Sequence, residues 1–267
     1  MYHGPLIDAH THPMLDPEGQ IVSVPHPPEA YRELVRNSAV VRAAAITIAR
    51  RGELERTRVR NDAVLKLAQD SDGFFFAACS VHPADGAAAH EEIGRVAAGG
   101  ATWLKLHPNT QRFDVADPAV AALVRTAAEH GLTVLFDAYS PWDANQPAKF
   151  ADLAAAVPEA RLILAHAHGP GFAQLLLYDI LARYPGYRRN VWVDISVTGP
   201  MLVGGPFADQ FSWVLRKHGI DRVLFGSDYP VDDPLTAVKA VAGLGFTDAE
   251  QAAILHDNAA ALLDGAG

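Results

Sequence analysis

One cysteine, Cys79, is the only thiol in this 267-residue chain. No intramolecular disulfide can form, and its place in the apolar run Phe74–Val81 reads as a buried structural thiol. No apolar run nears the ~20 residues that span a bilayer. A strand pattern that begins at Leu6 leaves no room for a signal peptide, so a cytoplasmic, reducing location is expected. Positive charge is in the minority, with 22 Lys and Arg against 31 Asp and Glu and a net charge of −9. Such a surface attracts neither a phosphate backbone nor anionic lipid, so a general nucleic-acid or membrane binder is excluded. A local basic pocket is still allowed. Linkers, low-complexity stretches and strong internal repeats are also absent, and residues 1–267 read as a single domain.

What is present is a rhythm of eight short apolar runs, each ending in polar or glycine-bearing residues. They are Leu6–His12, Ala43–Ala49, Phe74–His82, Thr102–His107, Leu132–Ala138, Arg161–His168, Asn190–Ser196 and Arg222–Asp228. Most do not alternate strictly, which marks strands buried on both faces, as in a parallel sheet. Helical segments lie between them: Glu53–Asp70, Gly171–Tyr184 and Pro206–His218. Asp117-Pro118 fits a helix start with Gly131 beyond its end, and Thr247 with Glu250 fits a capping box. Strand and helix alternating eight times predict an α/β chain folded as a (β/α)₈ TIM barrel. A doubly wound open sheet is the alternative, but a glycine-rich phosphate turn after the first strand is missing.

Barrel enzymes work at the C-terminal mouth of the strands, so the polar residues that end the strands carry the functional argument. His10 and His12 end the first, and two residues apart on a strand they face the same way, close enough to share one metal ion. His82 ends the third, Lys105 and His107 the fourth, Asp137 the fifth, His166 and His168 the sixth, Asp194 and Ser196 the seventh, and Gly226-Ser227-Asp228 the eighth. Six of the 12 histidines fall at these ends. The others, His3, His26, His90, His130, His218 and His256, fall in expected loops or helices and read as solvent-facing. Alternation puts Asp8 on the side of His10 and His12 as an orienting group, and puts His168 on the side of His166. His82, before Pro83, reads as structural.

The segments IDAHTH, WLKLHP, LILAHAHG, VWVDIS, VLFGSDYP and the closing HDNAAALLD occur in that order across nearly the whole chain. Together they resemble the amidohydrolase superfamily, in the metal-dependent TIM-barrel branch related to aminocarboxymuconate-semialdehyde decarboxylase. The resemblance implies His10, His12 and Asp228 as ligands of one divalent metal ion, zinc foremost, with manganese or iron as alternatives. It implies His166 as a ligand or as acid/base, and Asp228 as the acceptor of the proton of an activated water. Where the family usually has a histidine ligand at the end of strand five, this chain has Asp137, which gives a His/His/Asp/Asp set that is more anionic. It assigns no chemistry to Asp194 and Ser196. Lys105 reads as a cation for the carboxylate cluster or for a substrate acid group, and His107 reaches the pocket by alternation.

Loop composition adds Arg112, suited to gripping a carboxylate, with Trp142 and His168 as further substrate contacts. The proline-rich stretch 13–28 reads as a cover over the first strand. The expected function is a metal-dependent hydrolase acting on an ester, lactone or amide of a small molecule that can bear a carboxylate. The alternatives are a decarboxylase or hydratase of the same superfamily, a metal-free lactonase, or a non-enzymatic binding barrel. A homodimer fits the exposed apolar loops.

Overall fold

A computed structural model describes residues 2–13 and 27–265. The proposed cover over strand one falls largely outside the described residues, as does His26. The chain forms eight parallel strands in sequence order: β1 Leu6–Asp8, β2 Val40–Ile46, β3 Phe75–Ser80, β4 Trp103–Leu106, β5 Thr133–Asp137, β6 Leu162–Ala165, β7 Val191–Asp194 and β8 Val223–Leu224. The ring closes beyond the ladder proper. Ala9 N–H donates to the Phe225 carbonyl, Asp228 N–H to His10 and His12 N–H to Tyr229, at 2.9, 2.7 and 2.7 Å. The fold is the expected (β/α)₈ barrel, and its strands end earlier than the apolar runs suggested.

Strand parity sorts the core into two layers. Ile7, Ile46, Phe76, Trp103, Leu135, Ile163, Trp192 and Leu224 fill the barrel interior, while their neighbours pack outward against the helices. Ala259 and Leu262 of the last helix plug the interior from below. That helix begins at Thr247, whose side chain caps Glu250 N–H while the Glu250 side chain takes Thr247 N–H, the expected capping box. It loosens into a π turn over Ala253–Asp257, and the Ile254 carbonyl accepts Phe225 N–H at 2.9 Å. Asp117 caps its helix through Ala119 N–H as expected.

Two local expectations are corrected. His218 is buried at 6% exposure, because it ends the inward stripe of helix Ala208–His218 behind Phe211 and Leu215. The segment after β6 is a kinked 3₁₀ stretch over His166–Leu175 rather than the start of a regular helix, with Pro170 inside it and left-handed backbone at Ala167, His168 and Gly169. No described helix is long and apolar enough to cross a membrane.

Candidate active site

The barrel mouth holds a cavity of about 190 Å³. Seven of the ten residues singled out from the sequence line it: His10, His12, Lys105, His107, Asp137, His166 and Asp228. β4 and β5 deliver theirs by plain alternation. Trp103 points into the barrel, so Lys105 and then His107 point into the mouth, and Leu135 is followed by Asp137 in the same way.

β1 and β6 deliver theirs by breaking alternation. Ile7 and Ala9 point inward, yet the next inward side chain is His10, because the strand has ended at Asp8. Asp8 therefore faces outward. Its carboxylate accepts from the Tyr31 hydroxyl (2.9 Å), Ser227 N–H (2.9 Å) and His10 N–H (3.3 Å), so it clamps backbone rather than imidazole. Burial outweighs these bonds and pushes the Asp8 carboxyl up to about 7. Gly226 runs so close to His10 that a Cβ there would lie 2.7 Å from the His10 Cβ. His166 sits at φ 61°, followed by Ala167 and His168 at 45° and 63°, and Asp228 sits at 57°. Left-handed backbone costs a non-glycine residue about 1–2 kcal/mol, and here it is held by specific bonds. His166 N–H donates to Asp194 (3.2 Å), the Thr198 hydroxyl donates to the His166 carbonyl (2.6 Å), and Asp228 N–H donates to His10 (2.7 Å).

The same turn sends His168 away from the cavity. Its Nδ1 bonds the Ala138 carbonyl at 2.8 Å and its ring lies against Phe150, so it is a packing residue. Arg112 is likewise outside the lining, because it adopts a left-handed conformation at the end of the short helix Pro108–Gln111 and faces solvent. Trp142 is 87% exposed and lines no part of the cavity. Arg50, just past β2, lines it instead, with Ile48, Thr110, Pro230 and Val231. No polar residue ended the second apolar run within its boundaries, so little in the pattern pointed to Arg50. His82 is structural as expected, bonded to the Gln111 carbonyl at 2.7 Å.

At the cavity floor one donor atom each from His10, His166 and Asp228 lies within 4.8 Å of the others. His12 Nε2 is 3.5 Å from the Asp228 oxygen that faces His10 Nε2 at 3.4 Å. Two imidazoles and a carboxylate form a donor set that suits a borderline divalent ion such as zinc. Asp137 lines the same cavity but stands outside this three-residue cluster. Its Oδ2 lies 3.2 Å from His166 Nε2 and 3.4 Å from His107 Nε2. Burial opposes its charge, but His166, His107 and Lys105 hold its carboxyl well below the usual carboxylate range. Burial also opposes charge on His166, and Asp137, Asp228 and Asp194 override it, lifting His166 to about 9. His107 falls to about 4 and His12 falls well below its ordinary value, both chiefly through burial. Lys105 is 1% exposed, with Nζ 3.0 Å from His10 Nε2, and burial lowers its pKa despite three carboxylates nearby.

Behind the ligating edge stand two residues to which the sequence assigned no chemistry. Asp194 Oδ2 is 3.0 Å from His10 Nδ1, and the Ser196 hydroxyl is 2.9 Å from His166 Nδ1. Parity from Trp192 could have found Asp194, since the two face the same side of β7.

The amidohydrolase sequence profile matches residues 7–265. No curated protein matches the chain significantly. Among solved structures, the 2,6-dihydroxybenzoate decarboxylase from Rhizobium superposes with a TM-score of 0.75 at 16% identity, covering 99% of this chain and 100% of its own. The 5-carboxyvanillate decarboxylase from Sphingomonas paucimobilis gives 0.72 at 14%, covering 97% and 99%. A putative 2-pyrone-4,6-dicarboxylic acid hydrolase from Pseudomonas putida gives 0.72 at 21%, covering 98% of each chain. At such identities these likenesses bear on the barrel alone, whereas the profile spans nearly the whole chain: the protein belongs to the amidohydrolase family.

Proposed function

We propose that the protein is a metal-dependent hydrolase that opens an ester, lactone or amide bond in a small, carboxylate-bearing molecule. The observation that carries this reading is the convergence of His10, His166 and Asp228 at the floor of a small cavity that also holds Lys105 and Arg50. A divalent ion bound there, zinc by donor type, supplies Lewis acidity that acidifies water and polarises a carbonyl. His10, His166 and Asp228 would hold it, with His12 beside them.

The chain's own residues then divide the remaining work. Asp228 offers one oxygen towards His10 and His12, and its carboxylate is the base placed to take the proton of an attacking water. Asp137 stands beside the Nε2 edge of His166 and balances positive charge on that side. Lys105 is the donor available to the leaving oxygen, since burial loosens its proton. Arg50 offers a fork for a substrate carboxylate. At about 190 Å³ the cavity lies below the ~300–1,000 Å³ of drug-sized sites, which favours a compact substrate.

The test is elemental analysis of the purified protein, followed by a panel of carboxylate-bearing lactones and esters assayed before and after exhaustive chelation. Ring opening that disappears with the metal and returns on adding zinc or manganese is expected. Turnover that survives complete metal removal would overturn the reading. Release of CO₂ from aromatic acids, without hydrolysis of any ester or lactone, would replace it with a decarboxylase.

A further inference from the structure

Two side chains at the end of β7 stand behind two of the cavity imidazoles, those of His10 and His166. Asp194 is fully buried. Its Oδ2 faces His10 Nδ1 at 3.0 Å, and its Oδ1 accepts the backbone N–H of Ser196 (3.0 Å) and of His166 (3.2 Å). The Ser196 hydroxyl, also fully buried, lies against Asp194 Oδ1, 2.9 Å from His166 Nδ1 and 3.4 Å from His10 Nδ1. The two rings stand side by side, their centroids 5.0 Å apart at an interplanar angle of 27°.

A hydroxyl has one proton, and its contact with Asp194 Oδ1, an oxygen that already accepts two backbone N–H groups, leaves one direction for it. Ser196 donates to Asp194. Its oxygen can therefore only accept from His166, which requires a proton on His166 Nδ1. Asp194 Oδ2, an acceptor like its Oδ1, places a proton on His10 Nδ1 across 3.0 Å in the same way. The Nε2 edges, one facing Lys105 Nζ at 3.0 Å and the other Asp137 at 3.2 Å, are then the edges turned to the cavity.

We propose that Ser196, with Asp194, is a positioning residue that fixes both His10 and His166 with their protons on Nδ1 and couples the two rings through one shared hydroxyl. The site is thus set from the end of β7, which contributes no residue to the cavity lining. Only the metal-affinity arm of the test below rests on the proposed function.

The test is ¹⁵N–¹H NMR of the imidazole rings of the full chain, metal-free and zinc-titrated, in wild type, Ser196→Ala and Asp194→Asn. Wild type is expected to show solvent-protected Nδ1–H resonances for both His10 and His166. Ser196→Ala should abolish or exchange-broaden the His166 signal, leaving it only the Ser196 carbonyl at 3.4 Å, and should retain that of His10. Asp194→Asn should lose the His10 signal. Zinc affinity, read by chelator competition, should fall about 10–100-fold in Ser196→Ala, the usual effect of removing a group that orients a metal-bound imidazole. A protected His166 Nδ1–H that survives Ser196→Ala, or a ring carrying its only proton on Nε2 in wild type, overturns the proposal. If no variant binds zinc, including wild type, the functional reading fails while the ring resonances still decide this one.

Discussion

His218 gives this fold a calculable sensitivity to acid. Its ring is buried at the end of helix Ala208–His218, edge-on to Tyr178 at 5.5 Å, and burial, with Arg189 adding to it, lowers its pKa to about 4. An unfolded chain gives the ring a value of ~6.5. Because the folded value is the lower one, the unfolded state takes up the proton first as the pH falls. The stability tied to the neutral ring is complete above pH ~6.5 and drains away as the pH drops towards about 4. Proton binding to the unfolded state with these two values is worth about 0.2 kcal/mol at pH 7 and about 2 kcal/mol at pH 5, a loss of about 2 kcal/mol between them. Urea unfolding of wild type and His218→Phe at both pH values isolates this quantity, because other titrating groups act alike in the two proteins. Phenylalanine keeps an apolar ring against Tyr178, and its effect at pH 7 cancels from the comparison. The variant should lose about 2 kcal/mol less stability than wild type from pH 7 to pH 5. Equal losses in the two proteins would refute the reasoning.

Asp228→Asn should abolish zinc retention and turnover while leaving the thermal midpoint within a few degrees of wild type, as elemental analysis and calorimetry would show, because the Asp228 backbone bonds to His10 and Val231 remain. Gly226→Ala puts a Cβ 2.7 Å from that of His10 and should cost about 1–3 kcal/mol in urea unfolding with a parallel fall in metal affinity; an unchanged affinity would show that His10 tolerates the shift. Leu262→Ala empties part of the barrel floor and should cost about 2–5 kcal/mol of stability with little change in zinc affinity.

Much of the barrel was legible because buried parallel strands need apolar side chains on both faces, and eight such runs stand out against capped helices. The site was legible where a strand stays regular up to its last residue. Lys105, His107 and Asp137 follow from inward-facing Trp103 and Leu135 by counting twos. Counting fails where the backbone breaks its alternation. The left-handed turn after Ala165 carries His168 out of the cavity, and the early end of β1 lets His10 follow inward-facing Ala9 into it, with Asp8 left on the outer face. Such turns are stabilised by distant partners, Asp194 and Thr198 for His166, which no local pattern reveals. Arg112 and Trp142 sit on loops whose reach composition does not fix. His218 was within reach, since Phe211, Leu215 and His218 share one helical stripe.

The seam that closes the barrel joins the two ends of the sequence, with Asp8 accepting Ser227 N–H across 219 positions. His10 and Asp228 lie on opposite sides of that seam. During synthesis the first half of the site therefore exists early, on a strand with an unpaired edge, and waits for nearly every later residue before its partner arrives. Contacts of such long sequence separation form slowly. An incomplete nascent chain thus presents histidines and a bare strand edge together, and His10 meets Asp228 only when the last strand docks.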